Sequence, residues 1–160
     1  MPPTNIQVQL STFDQLDAIT LYQILRLRSE VFVVEQQCIY QDLDNLDQKS
    51  QHLLIHKQSG LSTGCKLAPL LAYARLLPPD LQYPEAAIGR IITARQWRGK
   101  GYGRWLINQA ATCCQQSYPG APIKISAQLH LLALYNTCGF LQQGEPYDED
   151  GIPHIAMRKI

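Results

Sequence analysis

The spacing of hydrophobic residues changes along the chain between the two-residue period of strands and the longer period of helices. Residues 5–10 alternate polar with apolar side chains, which predicts a half-buried first strand. Apolar residues then recur at near-helical spacing over residues 16–35 and predict the first helix. The end of that run, residues 31–34, is rich in valine, so an extended conformation there is an open alternative.

Three apolar segments of strand length follow the first helix. They cover residues 52–56, 68–77 and 87–93, and polar or proline-containing loops separate them. A turn is expected at residues 59–64. Three successive strands with such connections predict an antiparallel meander.

The second half of the chain predicts two more helices and three more strands. An amphipathic helix begins just after a glycine cluster and must end before Pro119. The remaining elements are a strand at residues 123–127, a short helix at 131–135, a strand after Phe140 and a last strand at 154–158. The order is therefore β-α-β-β-β-α-β-α-β-β. No linker divides it, so residues 1–160 are expected to form one α+β domain.

The composition changes this picture mainly by exclusion. Hydrophobic residues make up 46% of the chain and charged residues 17%, so the chain can bury a core and is not a disordered segment. A net charge of +1 argues against a protein that coats nucleic acid. No apolar run approaches the roughly 18 residues that a membrane span needs. Neither a nucleic acid nor a membrane is expected as a partner.

The cysteines and the N-terminus indicate a compartment. Five cysteines, an odd number without a C-x-x-C pair, predict neither a disulfide framework nor a zinc ribbon. The opening residues lack the charged and apolar regions of a secretory signal. A reducing, cytoplasmic location is therefore expected. His52 and His56 have a spacing known from metal sites, but no third ligand accompanies them, so no metal is expected.

Residues 88–106, IGRIITARQWRGKGYGRWL, carry the most informative pattern in the chain. A strand ends there and a helix begins after a run of glycines, which let backbone amides approach an anion. The loop also carries the cations Arg95, Arg98, Lys100 and Arg104. This combination predicts a phosphate or pyrophosphate cradle, with a merely flexible loop as the alternative. It matches neither the P-loop spacing nor the dinucleotide fingerprint.

Several blocks of the sequence resemble one family. Residues 96–101, QWRGKG, resemble the Q/R-x-x-G-x-G/A signature of the GNAT acyltransferases, and residues 134–140, LYNTCGF, resemble its L-Y-x-x-x-G-F block. Residues 27–36 and 151–157 resemble the ElaA-like branch. The resemblance covers nearly the whole chain. It implies a GNAT-like three-layer fold, in which a central mixed, mostly antiparallel sheet carries helices on both faces.

The resemblance also implies a place for acetyl-CoA as a co-substrate, without a metal. The cofactor would lie where the strands at residues 88–93 and 123–127 splay apart. The backbone of Ile91, Ile92 and Thr93 would pair with the pantetheine arm. The pyrophosphate would be held by Arg98, Gly99, Lys100, Gly101, Tyr102, Gly103 and Arg104.

In GNAT chemistry a neutral amine attacks the thioester directly, and the departing thiolate needs a proton. Tyr135 lies where many members of the family place a tyrosine for this task, and its ordinary pKa near 10 keeps it protonated. The alternative for Tyr135 is a packed side chain at a helix end. Gln128 departs from the family pattern, which often has asparagine seven residues before the tyrosine.

A base must accept the proton of the arriving ammonium group. Glu35 is the first candidate, because partial burial beside an apolar stretch raises the pKa of a carboxyl group. A solvated charge or a structural pair with Arg28 is the alternative. His130 is the second candidate, with a helix cap as its alternative. Gln36 and His154 are expected to adjoin Glu35 and to contact the acceptor.

These residues predict an acetyl-CoA-dependent N-acetyltransferase that acts on a primary amine of a small molecule or a peptide. The alternative is a non-catalytic CoA- or acyl-CoA-binding module, which needs the cradle but neither acid nor base. A nucleotide- or nucleic-acid-binding domain is a third class, against which the near-neutral charge and the 8% of aromatic residues weigh. The expected assembly is a monomer or a homodimer.

Three further features are interpreted as structural. Cys138 is expected to be a small buried residue rather than a nucleophile. The acidic residues 42–47 lack the pattern of a calcium loop and are expected to form a solvated loop. Arg75 and Arg90 lie within strands and are expected to face outward, or in one case to line the cleft.

Overall fold

The computed structural model describes residues 4–58 and 68–160. Its strands are β1 Ile6–Thr12, β2 Gln51–Lys57, β3 Leu70–Leu77, β4 Ala86–Thr93, β5 Ile123–Gln128, β6 Leu141–Glu149 and β7 Ile152–Lys159. Its α-helices are α1 Ala18–Arg28, α2 Tyr102–Ser117 and α3 Leu132–Thr137. The predicted order of elements is confirmed. The turn expected at residues 59–64 lies outside the described residues.

The strands form one seven-stranded sheet in the order β1-β2-β3-β4-β5-β7-β6. Only β4 and β5 are parallel neighbours, and the other pairs are antiparallel. The meander predicted for the first half is therefore β2-β3-β4, to which β1 adds at the edge of β2. The sheet is mixed and mostly antiparallel, as expected.

Two buried clusters lie on opposite faces of this sheet, because side chains alternate along each strand. On one face, Ile24 and Leu27 of α1 pack against Leu54 of β2 and Tyr73 of β3. On the other face, α2 and α3 pack against the alternate residues of the same strands, such as Leu53. Helices therefore cover both faces, and the three-layer fold class is confirmed.

A π-helical segment, Ser29–Glu35, continues α1 without a break. The backbone N–H of Gln36 donates to the carbonyl of Val31 at 3.0 Å, a five-residue step. The extended alternative for residues 31–34 is therefore wrong. Val31 is buried with Ile24 and Leu27, and this spacing keeps the chain helical against the sheet.

Strands β4 and β5 share only two residue pairs before they part. Ala86 pairs with Ile123 and Ala87 with Lys124, and no further pair joins the two strands in the described residues. Beyond this point β4 contains a bulge, because its register against β3 shifts by one residue between Gly89 and Ile92. The remaining length of β4 thus presents an edge without a strand partner on its β5 side.

Three arginines and three aspartates form an ion-pair network beside the bulge. Arg28 donates to Asp42 at 2.9 Å and to Asp47 at 2.7 Å. Arg75 donates to Asp44 at 2.7 Å and to Asp47 at 3.0 Å. The side chains of Arg28 and Arg75 are 0% and 1% exposed, so their charges are satisfied inside the protein.

Arg90 joins the same network from the bulge of β4. It donates to Asp42 at 2.7 Å and to Asp44 at 3.3 Å, and its backbone is left-handed, with φ 52°. Its guanidinium lies 5.2 Å from the ring centre of Tyr40. The interpretation of residues 42–47 as a solvated loop is wrong, because arginines from α1, β3 and β4 draw its aspartates into the protein. Arg75 is likewise buried rather than outward-facing.

Acid is expected to weaken this network. Burial raises the pKa of Asp44, but the hydrogen bonds and charge of Arg75 outweigh it and lower that pKa to about 2. The pKa of Asp47 is also lowered, since Arg28 and Arg75 outweigh its burial. Because these folded-state values lie below the ordinary 3.8, the network contributes fully above pH 4. Its contribution is lost as the pH falls towards about 2.

Asp47→Asn removes the charge that bridges Arg28 and Arg75. It should lower the free energy of unfolding at pH 7 by about 3–5 kcal/mol, because two buried cations lose a common partner. It should also reduce the fall in stability between pH 4 and pH 2. Urea unfolding of wild type and variant across this range measures both effects. Asp80→Asn, at an exposed left-handed position that asparagine tolerates, is the control. Equal losses of unfolding free energy in Asp47→Asn and Asp80→Asn would contradict a bridging role for Asp47.

Candidate active site

The parted strands leave one edge of β4 open beside the start of α2. Ile92 is buried in the cluster on the α1 face, and Ile91 packs against the cluster on the α2 face. Their side chains therefore fix β4 from both sides of the sheet. The backbone groups of β4 that point away from β3 face the gap, where an extended ligand could pair with them as an added strand.

The glycine loop lies at the end of this open edge. A short 3₁₀ turn, Arg95–Trp97, leads from β4 into the loop, and α2 begins at Tyr102. Gly101 is the N-cap of α2 with φ 83°, and Gly99 also has a positive φ of 73°. Among the described residues, no side chain caps α2 and no atom beyond the adjoining residues lies within 4 Å of the place where a Cβ would stand on either glycine. Free amides and the positive end of the helix dipole therefore face an open space, as an anion site requires.

The cations of the loop are held in two different ways. Lys100 lies 4.9 Å from the ring centre of Trp97 and donates to the carbonyl of Gln96 at 3.2 Å. Arg98 donates to the carbonyl of Thr93 at 2.9 Å and to the carboxylate of Glu35 at 2.7 Å. Arg98 thus touches the open edge of β4, the glycine loop and the π-helical segment together.

Glu35 is the last residue of the π-helical segment, and its partner is Arg98. The alternative pairing with Arg28 is wrong, because Arg28 is fully engaged with the aspartates of the ion-pair network. The π-helical segment ends beside the glycine loop, and this contact spans 63 residues of sequence. Helical hydrophobic spacing alone could not have revealed that partner.

Tyr135 lies on α3, on the same face of the sheet as α2. Its ring packs edge-on against Phe140 with ring centres 5.9 Å apart, and 6% of the residue is exposed. Burial raises the pKa of its hydroxyl, so this group stays protonated at neutral pH. Cys138 follows at the end of α3, and burial raises the pKa of its thiol. A protonated, buried thiol fits the interpretation of Cys138 as a small core residue.

On the opposite face of the sheet, Gln128 lies between Gln36 and His154 and is next to both. The side-chain amide of Gln128 donates to Gln36 at 3.1 Å, and Gln128 pairs with His154 across β5 and β7. Gln128 is a residue of this face that sequence reasoning noted only as a departure from the family pattern. The alternation along β5 was the available signal, since it sets Gln128 apart from the buried Ala127.

Two histidines, the candidate base His130 and the discounted metal ligand His52, have other surroundings. His130 is exposed on a 3₁₀ turn, Leu129–Leu131, between β5 and α3. His52 is buried, and its ring contacts the hydroxyl of Tyr73 at 2.7 Å and the carbonyl of Asp47 at 3.0 Å. Within residues 4–58 and 68–160, no three His, Cys, Asp or Glu side chains are grouped as a metal site requires. In that same part of the chain, no helix is long and apolar enough to span a membrane.

Comparison with known proteins places this geometry in a family. A family profile described as "Acetyltransferase (GNAT) domain" matches residues 15–160. A UPF0039 protein of Synechocystis sp. is 42% identical over 148 residues, which cover 91% of this chain and 89% of that protein.

Two crystal structures show the same fold over almost the full length. An acyl-CoA N-acyltransferase from Pseudomonas aeruginosa is 38% identical, with a TM-score of 0.85, and covers 97% of this chain and 99% of its own. ElaA from Escherichia coli is 36% identical, with a TM-score of 0.84 and the same coverage. The chain therefore belongs to the GNAT acetyltransferase family, in its ElaA-like branch.

Proposed function

We propose that the protein transfers an acetyl group from acetyl-CoA to a primary amine of a small molecule or a peptide. The observation that carries the proposal is the early parting of β4 and β5 beside an uncapped glycine-rich helix start. Membership of the GNAT family supports acyl transfer from an acyl-CoA, and the acetyl donor and the amine acceptor are the proposal's own additions. The free cysteines at positions 38, 113, 114 and 138 fit the proposed cytoplasmic location.

The proposed cofactor site has two parts. The pantetheine arm extends along the open edge of β4, where those backbone groups of the segment 91–93 that point away from β3 bind it. The pyrophosphate lies at the start of α2, where the amides of residues 99–103 and the cations of the loop neutralise it. The open space in front of Gly99 and Gly101 supports this placement. Arg98 then exchanges its carboxylate partner for a phosphate.

The proposed reaction is a direct attack of a neutral amine on the thioester carbon. The nitrogen–carbon bond forms, the carbon–sulfur bond breaks, and the thiolate leaves. The attacking nitrogen gives up one proton to solvent, and solvent later restores the proton that is donated to the thiolate. Tyr135 donates a proton to that thiolate, which its raised pKa and its position on the α2 face support. The amine must first lose a proton, and we assign that proton to Glu35, with His130 as the second candidate.

The pairing of Glu35 with Arg98 sets a condition for this role. A carboxylate that is held by a guanidinium has its charge compensated and is a poor proton acceptor. When the pyrophosphate draws Arg98 away, Glu35 is left beside Gln36 on the acceptor side. The proposal thus implies that acetyl-CoA binds before the amine.

The direct test of the function is release of free CoA thiol from acetyl-CoA in the presence of a set of primary amines. Amine-dependent release with formation of the acetylated amine supports the enzyme. Tight binding of acetyl-CoA without release for any amine would instead identify a non-catalytic CoA-binding module.

Gly101→Asp should weaken acetyl-CoA binding at least tenfold, about 1.4 kcal/mol, because it places a negative charge against the pyrophosphate. Gly101→Asn is the matched control. Asparagine tolerates the positive φ of this position about as well as aspartate and adds no charge. Calorimetric titration of both folded variants with acetyl-CoA separates the effect of the added charge on affinity from the effect of the added side chain. Equal affinity of the aspartate and asparagine variants would contradict a pyrophosphate at this loop.

Tyr135→Phe should lower kcat by about 10²- to 10⁴-fold and leave the affinity for acetyl-CoA nearly intact, because the lost proton transfer occurs only as the thiolate departs. Single-turnover kinetics measure the chemical step directly. Tyr118→Phe, at the far end of α2, is the control for loss of a partly buried hydroxyl. A Tyr135→Phe variant with an unchanged chemical step would make Tyr135 a packing residue.

Glu35→Gln should depress turnover at neutral pH, and a higher pH should partly restore it, because more amine then arrives unprotonated. The pH dependence of kcat/KM measures this effect. Glu30→Gln removes a carboxylate from the same π-helical segment and is the control. A wild-type pH profile combined with altered acetyl-CoA affinity would show that Glu35 only positions Arg98.

A further inference from the structure

The face of the sheet opposite Tyr135 carries a second group of polar side chains. Along β5, Ile123, Ile125 and Ala127 belong to the buried cluster that contains α2 and Tyr135. Their alternation places Ser126 and Gln128 on the other face, which the contact between Gln128 and Gln36 joins to the π-helical segment. Ser126 lies beyond the last residue pair between β4 and β5, so it borders the gap between these strands.

Ser126 holds a carboxylate at the end of β6. Its hydroxyl donates to Glu149 at 2.6 Å and lies 2.5 Å from the hydroxyl of Tyr147. A serine hydroxyl has one proton to donate, so Tyr147 must donate to Ser126. The chain of hydrogen bonds from Tyr147 through Ser126 therefore ends on Glu149 and orients its carboxylate.

The ring of His154 packs against Tyr147, which begins this series of hydrogen bonds. Its ring stacks on Tyr147 at an angle of 25°, with ring centres 6.3 Å apart, and only 9% of the residue is exposed. Its Nδ1 contacts the carbonyl of Ile152 at 2.8 Å, and its Nε2 has no hydrogen-bond partner among the described residues. The stacked ring of His154 thus fixes the position of Tyr147.

Glu149 forms no salt bridge among the residues that the structure describes. In residues 4–58 and 68–160, no Lys, Arg or His lies within salt-bridge distance of Glu149 or of its acidic neighbours Glu145, Asp148 and Asp150.

The nearby cations have other partners. Lys124 lies over the ring of Tyr83 at 4.4 Å, and Arg158 faces Glu85 at 3.9 Å. The hydrogen bond that orients Glu149 comes from a neutral hydroxyl, and no cation of the described residues pairs with its carboxylate. Glu35, in contrast, is neutralised by Arg98.

We propose that Glu149, oriented by Ser126 and Tyr147, binds a second cationic group of the acceptor, so that the preferred acceptors are diamines. This inference rests on the proposed function and names its substrate class. Ser126 and Gln128 are two residues apart on one strand, which separates their side chains by about 7 Å. Gln128 touches Gln36, which follows Glu35 in the chain, so an acceptor that reaches from Gln36 to Ser126 would place its second ammonium group at Glu149. A carboxylate on the acceptor would be repelled from the same place.

Three amines of equal chain length test the selectivity: 1,4-diaminobutane, butylamine and 4-aminobutanoate. Wild type should show at least a tenfold higher kcat/KM for the diamine than for butylamine, and the lowest value for the amino acid. Glu149→Gln should bring the diamine and butylamine to similar values, and Ser126→Ala should reduce the preference in part. Glu145→Gln removes the same charge from an exposed position on the same strand and should keep the preference. An unchanged preference in Glu149→Gln would overturn the inference while the transferase activity stands.

A binding measurement separates this inference from the proposed function. Calorimetric titration of 1,4-diaminobutane into the protein saturated with CoA needs no turnover. Wild type and Glu145→Gln should bind the diamine alike, and Glu149→Gln at least tenfold more weakly. Absence of binding by wild type, or equal binding by Glu149→Gln, would overturn the inference. Loss of activity towards every amine, with the binding difference intact, would overturn only the transferase.

Discussion

The early parting of β4 and β5 is the constraint on which the rest of the site depends. Two parallel strands normally continue to pair, and here the ladder stops after two residue pairs. The bulge in β4 turns that strand just beyond this point, and Arg90 holds the bulge in a left-handed conformation through Asp42 and Asp44. The open edge of β4 is thus supported by β3 on its other side and by the ion pairs at the bulge.

The same ion pairs position the acceptor side. Asp42 accepts from Arg90 of β4 and from Arg28 at the end of α1, so it ties the first helix to the bulge. The π-helical segment leaves α1 directly after Arg28 and carries Glu35 and Gln36 to the gap. One network therefore fixes both the strand edge that we propose binds the cofactor and the segment that we propose faces the acceptor. The cost of burying these charges is offset because each arginine meets two aspartates.

The order of elements and the glycine loop could be predicted from the sequence because their signals are local. Hydrophobic period, glycine spacing and prolines act over a few residues, and they gave the ten main elements in the correct order. The burial of residues 42–47 was not predictable in this way, since Arg75 lies 31 residues from Asp44 in the sequence. The partner of Glu35 was missed for the same reason. From the sequence alone a charged side chain is expected to be exposed to solvent, because the opposite charges that surround it are known only from the folded structure.

The central claim is that the open edge of β4 and the glycine loop together form the acyl-CoA site. Residue-resolved amide hydrogen exchange, measured with and without CoA, tests it most directly. The account predicts that CoA slows exchange within residues 88–93, at amides that face the gap, and within residues 98–104 at the start of α2. CoA binding that leaves both segments unchanged and protects amides elsewhere would contradict the account.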